Sequence, residues 1–312
     1  MNGLQRLISR PDSFRAILGL GLLVGGLGLA TALLLCFKVV LPFASACLQA
    51  CASNPALMSL ARGSASFIVA VALSGFLAGS WVLAEQWRST RKLLREVESR
   101  RSPPPGSLLA LASRAGLERH LVYVSDPAAY AFCYGLRSPR ICVSSGMAAK
   151  LSSRELMAVL LHEGYHLRQR DPLKVLASRI VAGALFLLPV AADLRDRYLV
   201  EKELAADAHV VARLSPEPLA GALLKLCRGG NQRTAAAMAT AAVGPFNVLS
   251  ERIRHLARPW EGLAPFRPIR FAASLAIVAV VLLASMGTSL AAARSVPAGG
   301  TCCGTGTCAT GI

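Results

Sequence analysis

Acidic residues and histidines are scarce in this chain. Its 312 residues include 17 Asp and Glu against 34 Lys and Arg, a formal net charge of +17, and only 5 histidines. Hydrophobic residues make up 54% of the chain, and the mean hydropathy is +0.50. Such a positive excess occurs in nucleic-acid-binding proteins, at anionic membrane surfaces and in the cytoplasmic flanks of membrane proteins. The apolar content and the placement of the charges favour the last class, so we expect no direct nucleic acid binding.

Internal repeats are also lacking, and so are cysteines with metal-pair spacing in the predicted cytoplasmic part. Of the 9 cysteines, Cys133, Cys142 and Cys227 show no metal-pair spacing, which gives no indication of a second zinc site. Cysteines at both 47–51 and 302–308 fall outside the predicted cytoplasmic part. One hypothesis is that they sense a soft metal or the redox state. The alternative is that these thiols are incidental.

Long uncharged apolar runs are present at Ala16–Phe37, Gly63–Ala84 and Phe271–Ala293. Each exceeds the roughly 20 residues that a bilayer-spanning helix needs, so three spans are predicted, the first as an uncleaved anchor rather than a signal peptide. Basic residues precede the first span, follow the second and precede the third. The positive-inside rule then places the N-terminus and residues 85–270 in the cytoplasm and the C-terminal tail outside. Membrane lipid is therefore an expected partner.

Three parts follow from this pattern. Residues 1–104 form a membrane region that ends in a basic stem and a stiff, polar linker at 99–107. Residues 105–268 form a cytoplasmic domain. Residues 269–312 hold the last span and a short Cys-containing tail. Within the domain, the apolar core Ile180–Ala192 is too short to cross a bilayer comfortably, and it predicts a membrane-associated segment at about 180–192.

The cytoplasmic domain mixes strands and helices. Short runs rich in Val, Tyr, Phe and Ile at 120–125, 129–135 and 139–145 predict three strands, the last two forming a hairpin. Ser152 and Glu155 have the spacing of a capping box at the start of a helix. That helix contains the stretch "HEGYH" at 162–166. By composition alone, His-Glu-x-x-His is expected roughly three times in a thousand chains of this length.

The motif predicts a catalytic zinc site. His162 and His166 share one helix face, so both imidazoles can reach one ion. Glu163 can face a metal-bound water without binding the metal, and would act as general base and then as proton donor to the leaving amine. A catalytic zinc site has three protein ligands and an open position. The third ligand must come from elsewhere in the chain.

Glu203, in the stretch "EKELAADAHV", is the best candidate for the third ligand. Glu201 is its rival, since the two point in nearly opposite directions on a helix. Asp207 shares a face with Glu203 and can hydrogen-bond a ligand imidazole. His209 is a candidate for stabilising the oxyanion, with an ordinary surface histidine as the alternative. Glu203 must lie on the same side of the membrane as His162, which agrees with a segment 180–192 that does not cross.

The stretches "AFCYGLRSPRICVSSGM", "LSSRELMAVLLHEGYHLRQRDPL", "EKELAADAHV" and "LSERIRHLARP" resemble, in this order, the peptidase domain of BlaR/MecR-type antirepressor membrane proteins. The resemblance covers about residues 105–260. It implies Zn²⁺ held by His162, His166 and Glu203, with Glu163 catalytic, at a bacterial inner membrane. It also implies signal transduction, in which proteolysis removes a BlaI/MecI-type DNA-binding repressor and the sensor itself is cut. The fold class is then an α-helical integral membrane protein with a cytoplasmic α+β zincin-type domain.

The sequence departs from that family after the last span. The family's sensors carry a penicillin-binding domain there, whereas about 19 residues follow Ala293 here, too few to fold a domain. We therefore expect the peptidase half alone. Two other functions stay open. One is a membrane quality-control metalloprotease of the CAAX-processing or heat-shock type, and the other is a non-catalytic signalling scaffold with a structural zinc.

Overall fold

The structure, a computed structural model, describes residues 13–26, 55–228, 247–257 and 267–294. The second half of the first predicted span, the segment 229–246 and the cysteines at 47–51 and 302–308 lie outside these ranges. The other two predicted spans fall within long helices. Among the residues described, however, no helix combines the length and the apolarity needed to cross a bilayer. The three spans and the division into parts stay predictions.

Helices dominate the described ranges. In chain order they are α1 (13–26), α2 (Pro55–Ser99), α3 (Gly106–Arg114), α4 (Ser145–Lys150), α5 (Ser153–Gln169), α6 (Asp171–Ala184), α7 (Pro189–Val211), α8 (Pro216–Arg228), α9 (Asn247–Ala257) and α10 (Pro268–Arg294). A short 3₁₀ helix spans Glu118–His120. The strands are β1 (Arg101–Ser102), β2 (Leu121–Val124), β3 (Ala131–Tyr134) and β4 (Arg140–Ser144). The described residues are mostly helical, with one small sheet.

The sheet has the strand order β1-β2-β4-β3. Strand β2 is parallel to β4, while β3 and β4 form the predicted antiparallel hairpin. The prediction of a linker at 99–107 was wrong in one respect. Residues Arg101 and Ser102 pair antiparallel with Val124 and Tyr123. The strand is only two residues long and is followed by prolines, so no alternating pattern marked it in the sequence.

Helices α2 and α5 cover opposite faces of the sheet. Side chains alternate along a strand, so Phe132 and Cys142 face one way and pack with Leu93 and Val97 of α2. The neighbouring residues Cys133, Ile141 and Val143 face the other way and pack with Leu156, Val159 and Leu160 of α5. The His-Glu-x-x-His motif therefore lies on a helix that packs on the sheet.

The capping box predicted at the start of α5 is confirmed. The Ser152 hydroxyl accepts a hydrogen bond from the backbone N–H of Glu155, and the Glu155 carboxylate accepts one from the backbone N–H of Ser152. At its other end α5 stops at Arg170, whose φ of 54° is left-handed and turns the chain directly into α6. This sharp turn places Asp171, the first residue of α6, beside the end of α5.

Helices α6 and α7 form a hairpin, and the segment predicted to contact the membrane, at about 180–192, covers the end of α6, the turn and the start of α7. Its turn, between Ala184 and Pro189, exposes Phe186 and Leu187. The hairpin returns the chain to α5, and this brings the "EKELAADAHV" stretch beside the histidines. The long helix α2 lies close to α6, since a Cβ atom at Gly75 would be only 2.6 Å from the carbonyl oxygen of Ala184.

Candidate metal centre

His162, His166 and Glu203 lie together in the interior, two on α5 and one on α7. His162 Nε2 is 3.1 Å from His166 Nε2 and 3.2 Å from Glu203 Oε2. His166 Nε2 is 3.6 Å from Glu203 Oε1. All three side chains are buried. One ligand atom from each residue lies within 4.8 Å of the other two, so the three side chains form a small triangle.

This triangle fits a zinc ion. Nitrogen and oxygen ligands lie about 2.0–2.2 Å from zinc in a tetrahedral site, which puts neighbouring ligand atoms about 3.3 Å apart. The donor set of two imidazoles and one carboxylate is also one that catalytic zinc sites use. Within the described residues these three form the one group suited to a metal ion, and that leaves a fourth position for water.

Two carboxylates lie beside the Nδ1 atoms of the two imidazoles and orient them. Asp171 Oδ2 lies 2.7 Å from His166 Nδ1. Asp207 Oδ1 lies 2.9 Å from His162 Nδ1, although the pair is not aligned as a hydrogen bond. Both carboxylates are buried. A carboxylate at Nδ1 favours the tautomer that keeps Nε2 free for a metal. The prediction that Asp207 would approach a ligand imidazole agrees with this position.

Two cations flank the buried carboxylates. Lys202, itself buried, binds Glu203 Oε1. Arg252 of α9 contacts both Asp207 oxygens, at 2.8 and 2.7 Å, and approaches Glu203 Oε2 at 3.5 Å. Burial alone raises the pKa of Glu203, but Lys202 and then His166 hold that pKa well below its usual value. Lys202 occupies Oε1, so Oε2 is the oxygen available to a metal.

Glu163 lines a cleft of about 700 Å³ that opens beside the centre. The cleft is also lined by His162, His166 and Glu203, by residues 131–137 around β3, and by one side of α2. The carboxylate that the motif assigns to general base catalysis therefore faces the same space as the metal-ligand atoms. A peptide bound in this cleft would reach both.

The structure places Glu201 and His209 elsewhere. Glu201 accepts hydrogen bonds from the Ser13 hydroxyl at 2.7 Å and from Arg197 at 3.0 Å, facing α1. His209 stacks near the Tyr165 ring at 5.2 Å and contacts Arg168 and Arg213, and it is not among the residues lining the cleft.

Electrostatics also keep His209 neutral. Burial, and then the guanidinium groups of Arg213 and Arg168, lower its pKa to about 4. A neutral imidazole that accepts from two arginines on the far side of the helices is poorly placed to stabilise an oxyanion. Oxyanion stabilisation by His209 stays a prediction, and the position of His209 does not support it.

Three residues near the centre were missed in the sequence. Asp171 could have been found, because it follows His166 at a helix boundary marked by the next residue, Pro172. Lys202 adjoins the predicted ligand, but burial of a lysine has no sequence signature. Arg252 lies 45 residues from Asp207, its partner, and only the packing of α9 against α7 connects them.

Two comparisons with known proteins agree with this geometry. The model of the BlaR1 peptidase M56 family matches residues 44–256, more than half of the chain. A protease HtpX homologue from Aeropyrum pernix is 36% identical over 124 residues, which is 37% of this chain and 37% of that protein. The match therefore spans little more than a third of the relative's length.

Proposed function

Because this chain belongs to the BlaR1 peptidase M56 family, we propose that it is a membrane-associated zinc endopeptidase that hydrolyses peptide bonds in a cytoplasmic target. The single observation that carries the proposal is the position of Glu163. It lines the same cleft as the triangle of His162, His166 and Glu203. A structural zinc usually has four protein ligands and needs no free carboxylate beside it.

Each residue of the site has its own role in the proposed reaction. Zinc, when bound, polarises the scissile carbonyl and lowers the pKa of a water molecule. His162, His166 and Glu203 would hold the ion, and Asp207 and Asp171 orient the two imidazoles. Glu163 removes a proton from the attacking water and then passes it to the leaving amine. Strand β3, at the edge of the sheet, offers its free peptide groups to an extended substrate.

Membrane association is part of the proposal. Large apolar side chains are exposed on α2 and α10, among them Phe76, Ile269 and Phe271. The turn at Phe186 and Leu187 adds to this apolar surface. Contiguous exposed apolar residues of this size suit contact with lipid. The basic residues near the end of α2 favour a cytoplasmic catalytic domain.

For the substrate, we propose a DNA-binding repressor of the BlaI/MecI type, this chain itself, or both, in signal transduction. This follows from the family and from the small-residue-rich sequence at 229–246, which we propose as a self-cleavage region. Membrane quality control is a second candidate, favoured by the HtpX homologue. Cleavage of many unfolded membrane proteins would support quality control, and loss of one soluble protein would support the antirepressor function.

The test compares membranes that contain the wild type or Glu163→Gln. New N-termini are identified by mass spectrometry, and bound zinc is quantified in both proteins. We expect equal zinc content, with fragments of a target or of this chain found only with the wild type. Identical N-termini in the presence of the activating signal would contradict the peptidase. Undiminished signalling by Glu163→Gln would support a scaffold instead.

A further inference from the structure

The edge of β3 faces an open slot rather than another strand. Within the part of the chain that the structure describes, β4 is the strand that pairs with β3, and its other side has no partner. Residues 131–136, which include β3, line the cleft next to Glu163. Peptide groups on an edge strand pair readily with an extended chain. The β3 side of the slot would therefore bind the backbone of an extended chain and contribute little to the choice among its side chains.

Helix α2 supplies another wall of the slot. Its last turns pack on the sheet through Leu93 and Val97. The preceding turns line the cleft with Leu83, Trp87, Thr90 and Leu94. These positions are spaced by 4, 3 and 4 residues, so they occupy one face of the helix. This face is the part of the cleft that can distinguish one substrate side chain from another.

The face is apolar and open to solvent. Trp87 is 53% exposed, Leu83 46% and Leu94 41%. Of the polar residues that line the cleft on this side of α2, Gln86 accepts a hydrogen bond of 2.7 Å from Arg179 of α6. Arg91 lies over the Trp87 ring at 4.5 Å, which fixes the indole in place. Burial of this exposed apolar surface is most favourable against a partner with bulky apolar side chains.

We propose that the slot between β3 and α2 binds an extended segment of a separate polypeptide with bulky apolar side chains, and that Trp87 selects them. The cleavage step in this proposal rests on the proposed function, whereas the binding step does not. Backbone pairing with β3 holds the segment beside Glu163. Alternate side chains of that segment point toward α2 and pack on Trp87 and its apolar neighbours.

Trp81 provides a matched control for Trp87. It lies on the same helix, is 66% exposed, and also carries an arginine, Arg88, over its ring at 5.4 Å. It does not line the cleft. Replacement of either tryptophan by alanine removes the same exposed aromatic surface. Only Trp87→Ala removes that surface from the slot.

In the cleavage arm, a proteome-derived peptide mixture is incubated with the zinc-loaded full chain, and cut sites are identified by mass spectrometry. The wild type should favour Leu, Ile, Met or Phe at one position near the cut. Trp87→Ala should reduce kcat/KM for these residues relative to Ala at that position by about tenfold. Trp81→Ala should retain the wild-type preference. An unchanged preference in Trp87→Ala, or an equal change in both variants, would overturn the proposal.

In the binding arm, a decapeptide with alternating Leu and Ser is titrated against Glu163→Gln, alone and combined with Trp87→Ala or Trp81→Ala. We expect about tenfold weaker binding with Trp87→Ala only. A scan of single N-methyl groups along the peptide should weaken binding at every second position, because each blocks one pairing N–H. Unchanged affinity with Trp87→Ala and along the N-methyl scan would overturn the proposal. If the wild type cuts nothing while this pattern appears, the peptidase function fails and the binding slot remains.

Discussion

Arg252 of α9 holds the carboxylate of Asp207 on α7 with two nitrogen atoms, Nε at 2.8 Å and Nη2 at 2.7 Å. Asp207 in turn lies 2.9 Å from His162 Nδ1. Two-point contact with a guanidinium restricts a carboxylate more than one charge would. The orientation of a proposed metal ligand therefore depends on a helix far along the chain.

We expect Arg252→Gln to weaken zinc binding by about 10- to 100-fold, the usual effect of losing an outer partner of a ligand. Burial raises the pKa of Asp207, and Arg252 is the main group that lowers it, so its loss also destabilises the ionised carboxylate. Competition with a fluorescent chelator measures the affinity. Arg254→Gln, on the same helix and paired with Glu251, is the control. Equal affinities in the two variants would contradict the role of Arg252.

Glu203→Gln and Glu201→Gln should separate the two rival ligands. Glu203 lies in the triangle with both histidines, whereas Glu201 faces Ser13 and Arg197. We expect Glu203→Gln to lose most bound zinc and Glu201→Gln to retain one zinc per chain. Atomic emission on dialysed protein measures both. Zinc loss from Glu201→Gln with retention by Glu203→Gln would reverse the assignment.

Asp171→Asn should weaken zinc binding through His166. An amide in place of the carboxylate 2.7 Å from Nδ1 stabilises the imidazole less well in the tautomer that frees Nε2. The expected loss of affinity is about tenfold or more. Asp196→Asn, which changes an exposed aspartate paired with Arg195, should leave affinity unchanged. A cobalt-substituted protein with the same absorption spectrum in wild type and Asp171→Asn would argue against this orienting role.

Glu155 should make the stability of the domain pH-dependent at acidic pH. A hydrogen bond from Lys225 lowers the Glu155 pKa below its usual 4.5, more than burial raises it. The carboxylate therefore stabilises the fold above pH 4.5, and this contribution is lost as pH falls through the lowered pKa.

Glu155→Gln keeps the cap but loses the ion pair. We expect the free energy of unfolding to fall by about 0.5–1 kcal/mol at pH 7, with little difference from wild type at pH values below the lowered pKa. Urea unfolding followed by circular dichroism measures this. The same difference at every pH would show that charge is not involved. Lys225→Met should give a similar curve, and the double variant should add little to either.

Much of the site was predictable because its signals are local. Helical spacing put His162 and His166 on one face, and the capping box marked the start of their helix. Glu203 was found by combining its motif with the short apolar segment that returns the chain. Lys202 and Arg252 were not found, because burial and contact across 45 residues depend on packing and leave no local pattern.

The sheet followed the same rule. The β3–β4 hairpin was clear from apolar runs separated by turn residues. Strand β1 was missed because its two residues, Arg101 and Ser102, are polar and pair only through their backbone with β2. The position of α2 on the sheet could not be predicted either, since it depends on close packing with α6 at Gly75.

The unpaired side of β3 also bears on solubility. An exposed edge strand is a template for β-sheet growth between copies of a protein, and this is a common route to aggregation. Residues of α2 line the same cleft as this edge, which leaves less room for a second folded molecule than for a single extended segment. The same helix that we assign to substrate choice would then also protect the protein from polymerising through the edge of its sheet.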